Sequence, residues 1–323
     1  MIEIISLILP LFGLILFGFG AAKVTRQPLE AMGWLNTFIV YFALPCLFFK
    51  LVSQTPVEEL ASWSFIFSNL YVTILIFLLT FVIAMIGNRG SVSESTVQGL
   101  AGAYGNIGYM GPAIAILALG EKAAVPVAII FCFENVMHFA LAPALMAYSG
   151  LENKSRLAIF LNIVKKILTH PFIIATIVGV LAAIFSIKLT EPLDRLISYL
   201  AQAAAPCALF AMGVTLALNP MRRVPFALGY IVPIKLLVHP ILMYVFLSFA
   251  GDFDPVWVST AVLLAALPTA TNVFVIAQQY NVWVERASAS ILMSTVISVF
   301  TVTALLYIIN EGLFPADLFI QEP

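Results

Sequence analysis

The chain has 323 residues, 62% of them hydrophobic and only 10% charged, with a formal net charge of −1 and a mean hydropathy of +1.08. Soluble domains carry roughly 45–50% apolar and about 25% charged residues, so this chain has too little charge to coat a globule in water and reads as an integral membrane protein. It has no basic run, so nothing in it points to nucleic acid.

Apolar stretches of about 18–25 residues lie near 4–22, 33–52, 62–86, 97–119, 125–148, 168–187, 196–218, 226–250, 257–280 and 286–309, each long enough to cross a hydrocarbon core of about 30 Å as a helix. The period-2 alternation of a membrane barrel is absent. About ten transmembrane helices are therefore predicted. The opening "MIEIISLILP" has an acidic flank and no small-residue cleavage site, which suits a retained first helix rather than a signal peptide. Cys46, Cys132 and Cys207 all fall inside apolar segments, and their odd number argues against a disulfide framework.

The fourth segment holds the oddest stretch, "GAYGNIGYMGP" (102–112). Each glycine in a helix interior costs roughly 1 kcal/mol relative to alanine and a proline about 3. A break over Gly105–Pro112 would free backbone groups, tolerable in a membrane only where protein or a water-filled cavity satisfies them. Broken half-helices point their partly positive N-terminal ends at mid-membrane, where they suit a carboxylate. Asn106 adds hydrogen-bonding capacity without a buried charge, and Gly108, Gly111 and Pro112 shape the break. Close packing of small residues between helices is the competing account of the glycines. In the fifth segment, "FENVMHF" puts Glu134 and His138 four residues apart on one helix face with Asn135 beside them. Ionisable groups inside a membrane are usually functional, so the pair reads either as a proton acceptor lining a path or as a self-satisfied structural pair. Lys235 and His239 in "PIKLLVHP" repeat that spacing in the eighth segment, where Lys235 either meets a carboxylate or snorkels to an interface. The ninth segment, "AALPTATNVFVIAQQY", contains Pro268, Thr269, Thr271 and Asn272 and is predicted to break as the fourth does.

"ALPCLFF" (43–49) in the second segment and "AAPCALF" (204–210) in the seventh share an Ala-x-Pro-Cys core at the same place in two five-helix sets. The expected domains are a first repeat over 1–150, a cytoplasmic loop over 151–167 and a second repeat over 168–323. An odd number of helices per repeat makes the second copy enter from the other side. That inverted build, with crossed broken helices 4 and 9, is common in secondary transporters. Alternate loops carry Lys23, Arg26, Arg89, Lys154, Arg156, Lys165, Lys166, Arg222, Arg223 and Arg286, against Lys50, Lys122, Lys188 and Arg195 on the other side. By the positive-inside rule both termini face outward.

At these residues the chain resembles the auxin efflux carrier family, which includes the plant PIN-type carriers and bacterial malate and malonate permeases. The likeness rests on "YFALPCLFFKLVSQTP" (41–56), on Asn106-x-x-x-Met110-Gly111 and on Leu267-Pro268 followed by "VFVIAQQYNV" (273–282), and runs over essentially the whole chain. Pro112 falls one residue earlier after Asn106 than the family pattern places it, Val273 stands where the plant carriers have a crossover proline, and the 151–167 loop is short. These departures favour a bacterial-type carrier of small organic acids over an indole-acetate-like substrate. The resemblance implies a secondary active transporter in the inner membrane moving a small organic anion by alternating access, with Asn106, Gly108, Gly111, Pro112, Glu134, Asn135, His138, Pro268, Thr269 and Asn272 around the substrate. Coupling would fall to Glu134, His138, Lys235 and His239.

A sodium-coupled carrier of the bile-acid symporter type is the nearest alternative, with an oxygen cage from Thr269, Thr271, Asn272 and Glu134. An intramembrane enzyme is a remote one, since HExxH, G-x-S-x-G, P-loop and CxxC motifs are missing. Glu134 with His138 gives two metal ligands and no third nearby, so no metal or other cofactor is expected. The expected partners are the organic anion, the bilayer and, as an assembly left open, a second copy of the chain. The orientation makes a direct prediction. A single cysteine at Asn153, on a background lacking native cysteines, will be shielded from impermeant thiol reagents in right-side-out vesicles, whereas one at Glu58 will label; equal labelling overturns it.

Overall fold

The computed structural model describes residues 2–87, 89–151, 156–218 and 225–313. Asn153, Lys154, Arg222 and Arg223, used above to orient the chain, lie outside the described residues. Among those described, the chain is helical and forms no strand beyond an isolated pairing of Gly105 with Thr269. α1 (Ile2–Thr25) is followed by a 3-10 turn (Leu29–Met32). Then α2 (Gly33–Phe38), a π-helical turn (Ile39–Ala43) and α3 (Leu44–Ser53) run on as one element. Next come α4 (Val57–Leu60), α5 (Trp63–Gly87), α6 (Val92–Ala103), α7 (Gly111–Leu119) and α8 (Ala124–Tyr148). α9 (Arg156–Leu168), α10 (Pro171–Ile184) and α11 (Glu191–Leu218) follow. α12 (Leu228–Pro233), a second π-helical turn (Ile234–Val238) and α13 (His239–Ala250) are again continuous, and α14 (Pro255–Ala265), α15 (Thr271–Tyr280) and α16 (Val284–Asn310) complete the chain.

Helices occupy each of the predicted apolar segments. Among the described residues, six elements are long and apolar enough to cross a membrane: Glu30–Ser53, Val57–Gly87, Glu121–Tyr148, Glu191–Leu218, Leu228–Ala250 and Val284–Asn310. Phe12–Thr25, Pro171–Ile184 and Pro255–Ala265 are shorter apolar helices. The two π turns have a common cause. Pro45 and Pro240 each lie two residues beyond one, near the start of the next helical stretch. A proline has no amide to give to the preceding turn and its ring crowds that turn's carbonyl, so the backbone widens there.

One expectation is corrected. The 151–167 connection is not simply a loop, because α9 fills most of it. Leu157, Phe160, Leu161 and Leu168 recur at helical spacing and are exposed. At 13 residues α9 is too short to span the bilayer, and its one-sided apolar pattern suits a helix lying in the membrane surface.

The helices pack as two bodies. α1, α3, α10 and α11 pack on one another, while α5 to α8 and α12 to α16 form the second group. Each body draws helices from both halves of the sequence. Lipid tails are as apolar as leucine, so helices associate by close fit at small residues rather than by hydrophobic drive. Within the first body a Cβ on Gly18 would lie 2.1 Å from the Phe210 carbonyl oxygen, and one on Gly213 would lie 1.9 Å from that of Ile15. α1 and α11 thus touch backbone to backbone. Within the second, Gly102 admits the Thr80 hydroxyl and Gly99 the Phe77 ring, seating α6 on α5. Contacts between the bodies are fewer and run through side chains. Phe131 of α8 stacks on Phe48 of α3 at 3.8 Å between centroids and tilts against Phe172 of α10 at 5.5 Å. Gly213→Ala is therefore expected to lower the melting midpoint in detergent by several degrees, since overpacking costs about 1–3 kcal/mol. Gly20→Ala, which meets nothing within 4 Å inside α1, will not lower it in the same thermal assay.

Candidate functional site

The two interruptions meet. α6 ends at Ala103 and Tyr104 leaves it extended; α14 ends at Ala265 and the chain returns through Pro268 to an extended Ala270. Gly105 pairs antiparallel with Thr269. The Asn106 amide donates to the Pro268 carbonyl at 2.8 Å and the Ala270 amide to the Tyr104 carbonyl at 2.9 Å. Thr269 adds two bonds, its hydroxyl donating to the Ala101 carbonyl at 2.8 Å and its amide to the Ser294 hydroxyl at 3.1 Å. Backbone groups freed by one break are thus satisfied largely by the other.

Helix resumes at once beyond the crossing. The Met110 amide donates to the Asn106 carbonyl at 3.0 Å, so the helical turn leading into α7 begins directly after Asn106. The first amides of any helix have no acceptor within it and carry its partial positive charge. Gly108 and Tyr109 on one side, and Thr271 and Asn272 on the other, line a shared cavity of about 20 Å³, room for about one water molecule in this closed arrangement. Asn106 and Asn135 also face it, and Phe131 and Phe172 close it where the two bodies meet. No lysine, arginine, aspartate or glutamate is among its described lining residues. A second space of about 20 Å³, between α11, α15 and α16, shares Thr271 with the first and is bounded by Met212.

A hydrogen-bonded chain runs across the front of the site. The Asn272 amide group donates to the Tyr104 hydroxyl at 2.7 Å, that hydroxyl donates to the Asn135 side-chain oxygen, and the Asn135 amide group donates to the Phe131 carbonyl at 2.7 Å. The Tyr104 ring lies flat on the His138 ring, centroids 4.0 Å apart. Asn106 has a poorer arrangement, its Nδ2 donating to the Met212 sulfur at 3.3 Å. Sulfur is a weak acceptor, so this donor is the one most readily exchanged for a carboxylate.

The charged side chains sit behind this front. Glu134, 3% exposed, accepts from the Thr73 hydroxyl at 2.9 Å. His138 Nδ1 lies 2.7 Å from the Glu134 carbonyl, so Nδ1 carries the proton and Nε2, which has no partner, presents a lone pair. Lys235, fully buried, donates to the Ala265 carbonyl at 2.5 Å and to His239 Nδ1 at 3.1 Å. His239 therefore keeps its proton on Nε2, which also has no partner. A Cβ on Gly105 would lie 3.2 Å from the Lys235 nitrogen, so the ammonium stands directly behind the crossing.

Of the residues singled out from sequence, Asn106, Gly108, Asn135 and Asn272 line the cavity together. Pro268 and Thr269 hold the crossing. Gly111 packs against Leu264 and Pro112 is buried in the first turn of α7. The four glycines of the 102–112 stretch all have negative φ, and each abuts another element. Lys235 does not snorkel, since it is buried against the end of α14. Glu134, His138 and His239 stand outside the lining. Sequence reasoning missed Tyr104, Tyr109, Phe131, Phe172, Thr73 and Met212. Tyr104 was the findable one, because a tyrosine at mid-span needs a polar partner for its hydroxyl.

A family model described as membrane transport protein matches residues 3–306. A protein of Rhizobium meliloti (strain 1021) named "Putative malonate transporter" is 61% identical over 319 residues, covering 99% of this chain and 100% of its own. The "Uncharacterized transporter YfdV" of Escherichia coli (strain K12) is 23% identical over 93% of this chain and 95% of its own. "Auxin efflux carrier component 1" of Arabidopsis thaliana is 29% identical over 161 residues, 47% of this chain and 25% of its own.

The front network makes a stability prediction. Tyr104→Phe removes the one hydroxyl joining Asn135 to Asn272, leaving buried amide groups short of a partner at a cost of about 1–3 kcal/mol. Its melting midpoint will fall while the stacking on His138 remains; an unchanged midpoint would show that the hydroxyl does not hold the two amides.

Proposed function

Since the chain belongs to this family of membrane transport proteins, we propose that it is a secondary active transporter carrying a small dicarboxylate, of the size of malonate or malate, by alternating access. The observation that carries the reading is the cavity at the crossing, where two helix N-termini and three asparagines face a small space without a fixed charge. Amide donors and helix ends attract a carboxylate yet release it, because no buried cation in the wall binds it as a salt bridge. The relative named for malonate supports the choice of a short dicarboxylate.

In this reading ten spans form two inverted repeats, 1–150 and 168–323, joined through 151–167 on the cytoplasmic side of an inner membrane, with both termini outside. The paired breaks and the distribution of lysine and arginine support that arrangement. One body moves against the other along the Phe48–Phe131–Phe172 seam. The spaces on either side of the Asn106–Met212 contact then become the two alternately open halves of the path. Glu134 and His138 modulate the site from behind through Tyr104, which stacks on His138, and supply a place for a coupled proton. The transport role leaves no step that would need an enzyme's nucleophile.

A substitution series at Asn106 tests the anion site by malonate binding, read from thermal stabilisation of purified protein. Asn106→Ala will weaken binding by about 1–3 kcal/mol, the worth of a hydrogen bond to a charged group. Asn106→Asp will weaken it more. Two unit charges 4 Å apart at an effective dielectric near 20 repel by about 4 kcal/mol, close to a thousandfold in affinity. The comparison belongs at pH 8 as well as pH 6, since protonation of the new aspartate blunts the effect. Aspartate binding at least as well as asparagine would mark a cation site instead, and equal binding by all three proteins would remove Asn106 from it.

A further inference from the structure

The two helix C-termini at the crossing are satisfied differently. Carbonyls at the end of a helix carry its partial negative charge, and where interrupted helices cross in secondary transporters such ends and unwound carbonyls coordinate the coupling cation. At the end of α6 the Ala101 carbonyl receives a neutral hydroxyl, from Thr269. At the end of α14 the Ala265 carbonyl receives the Lys235 ammonium at 2.5 Å. The Leu264 carbonyl oxygen, like the Lys235 nitrogen, is 3.2 Å from where a Cβ on Gly105 would stand, so it faces the same point. Glu134, on α8, adds an opposite charge acting on the ammonium through space.

We infer that Lys235 is a tethered cation, holding with its own ammonium the position that a coupling sodium ion would take at the crossing. This makes the protein independent of sodium. The inference rests on the transporter reading above and deepens it by assigning the coupling position. The neighbourhood fits an ion site: a helix-end carbonyl, a second carbonyl one residue earlier, a carboxylate nearby and His239 Nδ1 as a further acceptor at 3.1 Å. The remaining titratable groups around the crossing are His138, Tyr104 and Tyr109. Lys235 lies on the π-helical turn Ile234–Val238, where the widened backbone lets one side chain leave the regular helical register. A buried charge is tolerated only when paired and hydrogen-bonded, and here every described contact of the ammonium is with an acceptor. The oxygen cage read from sequence is otherwise engaged, Thr269 with Ala101 and Glu134 with Thr73.

The test replaces the tether by space. Lys235→Ser removes the ammonium and leaves room for an ion, whereas Lys235→Met fills the same volume without charge. Thermal unfolding of each is followed in sodium chloride and in choline chloride at equal ionic strength, without substrate. The wild type will melt alike in both salts, Lys235→Ser will be stabilised saturably by sodium alone, and Lys235→Met will show no sodium effect. In proteoliposomes, malonate uptake by Lys235→Ser will fall by roughly tenfold to a hundredfold in choline, as loss of a charged hydrogen-bond donor from buried acceptors implies, and recover in sodium. Lys235→Met will not recover. Three results overturn the inference: a wild type already stabilised by sodium, Lys235→Ser indifferent to sodium or unfolded in both salts, or Lys235→Met transporting at the wild-type rate in choline. A wild type that moves no malonate would count against the substrate reading alone, because the melting comparison needs no substrate.

Discussion

A helix broken inside a membrane leaves amides and carbonyls that lipid cannot satisfy, and the structure depends on how this chain meets that demand. Two breaks are set against each other, and the strand-like pairing of Gly105 with Thr269 gives each the partners it lost. One break alone would leave several unpaired backbone groups, each costing a few kcal/mol away from water. Together they create a place where two helices begin side by side. The N-terminal amides that α7 and α15 cannot use internally carry the helices' partial positive charge at that place.

Around the crossing, polar groups are sorted by charge. The front holds neutral donors and acceptors in a chain from Asn272 through Tyr104 to Asn135, while Glu134, His138, Lys235 and His239 stand behind it. A fixed cation in the front wall would bind an anion as a salt bridge. The same cation one layer back still shapes the local potential, because fields reach further in a medium of low dielectric than in water. Tyr104 belongs to both layers, since its hydroxyl serves the front and its ring covers His138.

Packing divides the molecule in a way that suits movement. Within each body, helices touch through glycines that admit a neighbour's backbone or side chain to distances no Cβ would allow, so sliding there would be met by hard contact. Between the bodies the contacts include aromatic rings, a methionine sulfur and the Cys132–Thr176 side-chain pair. Such side chains slide and repack without a backbone bond being broken. The site lies on that seam, with Asn106 on one body and Met212 on the other.

Much of this was legible in the sequence. Runs of apolar residues set the helices, because length and hydropathy decide what crosses a bilayer, and prolines with asparagines at mid-span located both breaks. Asn106, Asn135 and Asn272 could be named because an amide in an apolar run needs a reason. The amphipathic helix inside 151–167 was also written in the sequence, in the spacing of Leu157, Phe160, Leu161 and Leu168, but was passed over as a connection. What the tertiary structure alone decided is who faces whom. Tyr104 joins two amides more than a hundred residues apart; Lys235 turns inward to the end of α14 rather than outward to an interface; and each body is assembled from both halves of the chain. The reason is physical. Hydropathy is a property of each segment taken singly, whereas the partner of a buried hydroxyl, ammonium or helix end is set by which other segment comes within about 3 Å of it, and no local pattern encodes that meeting.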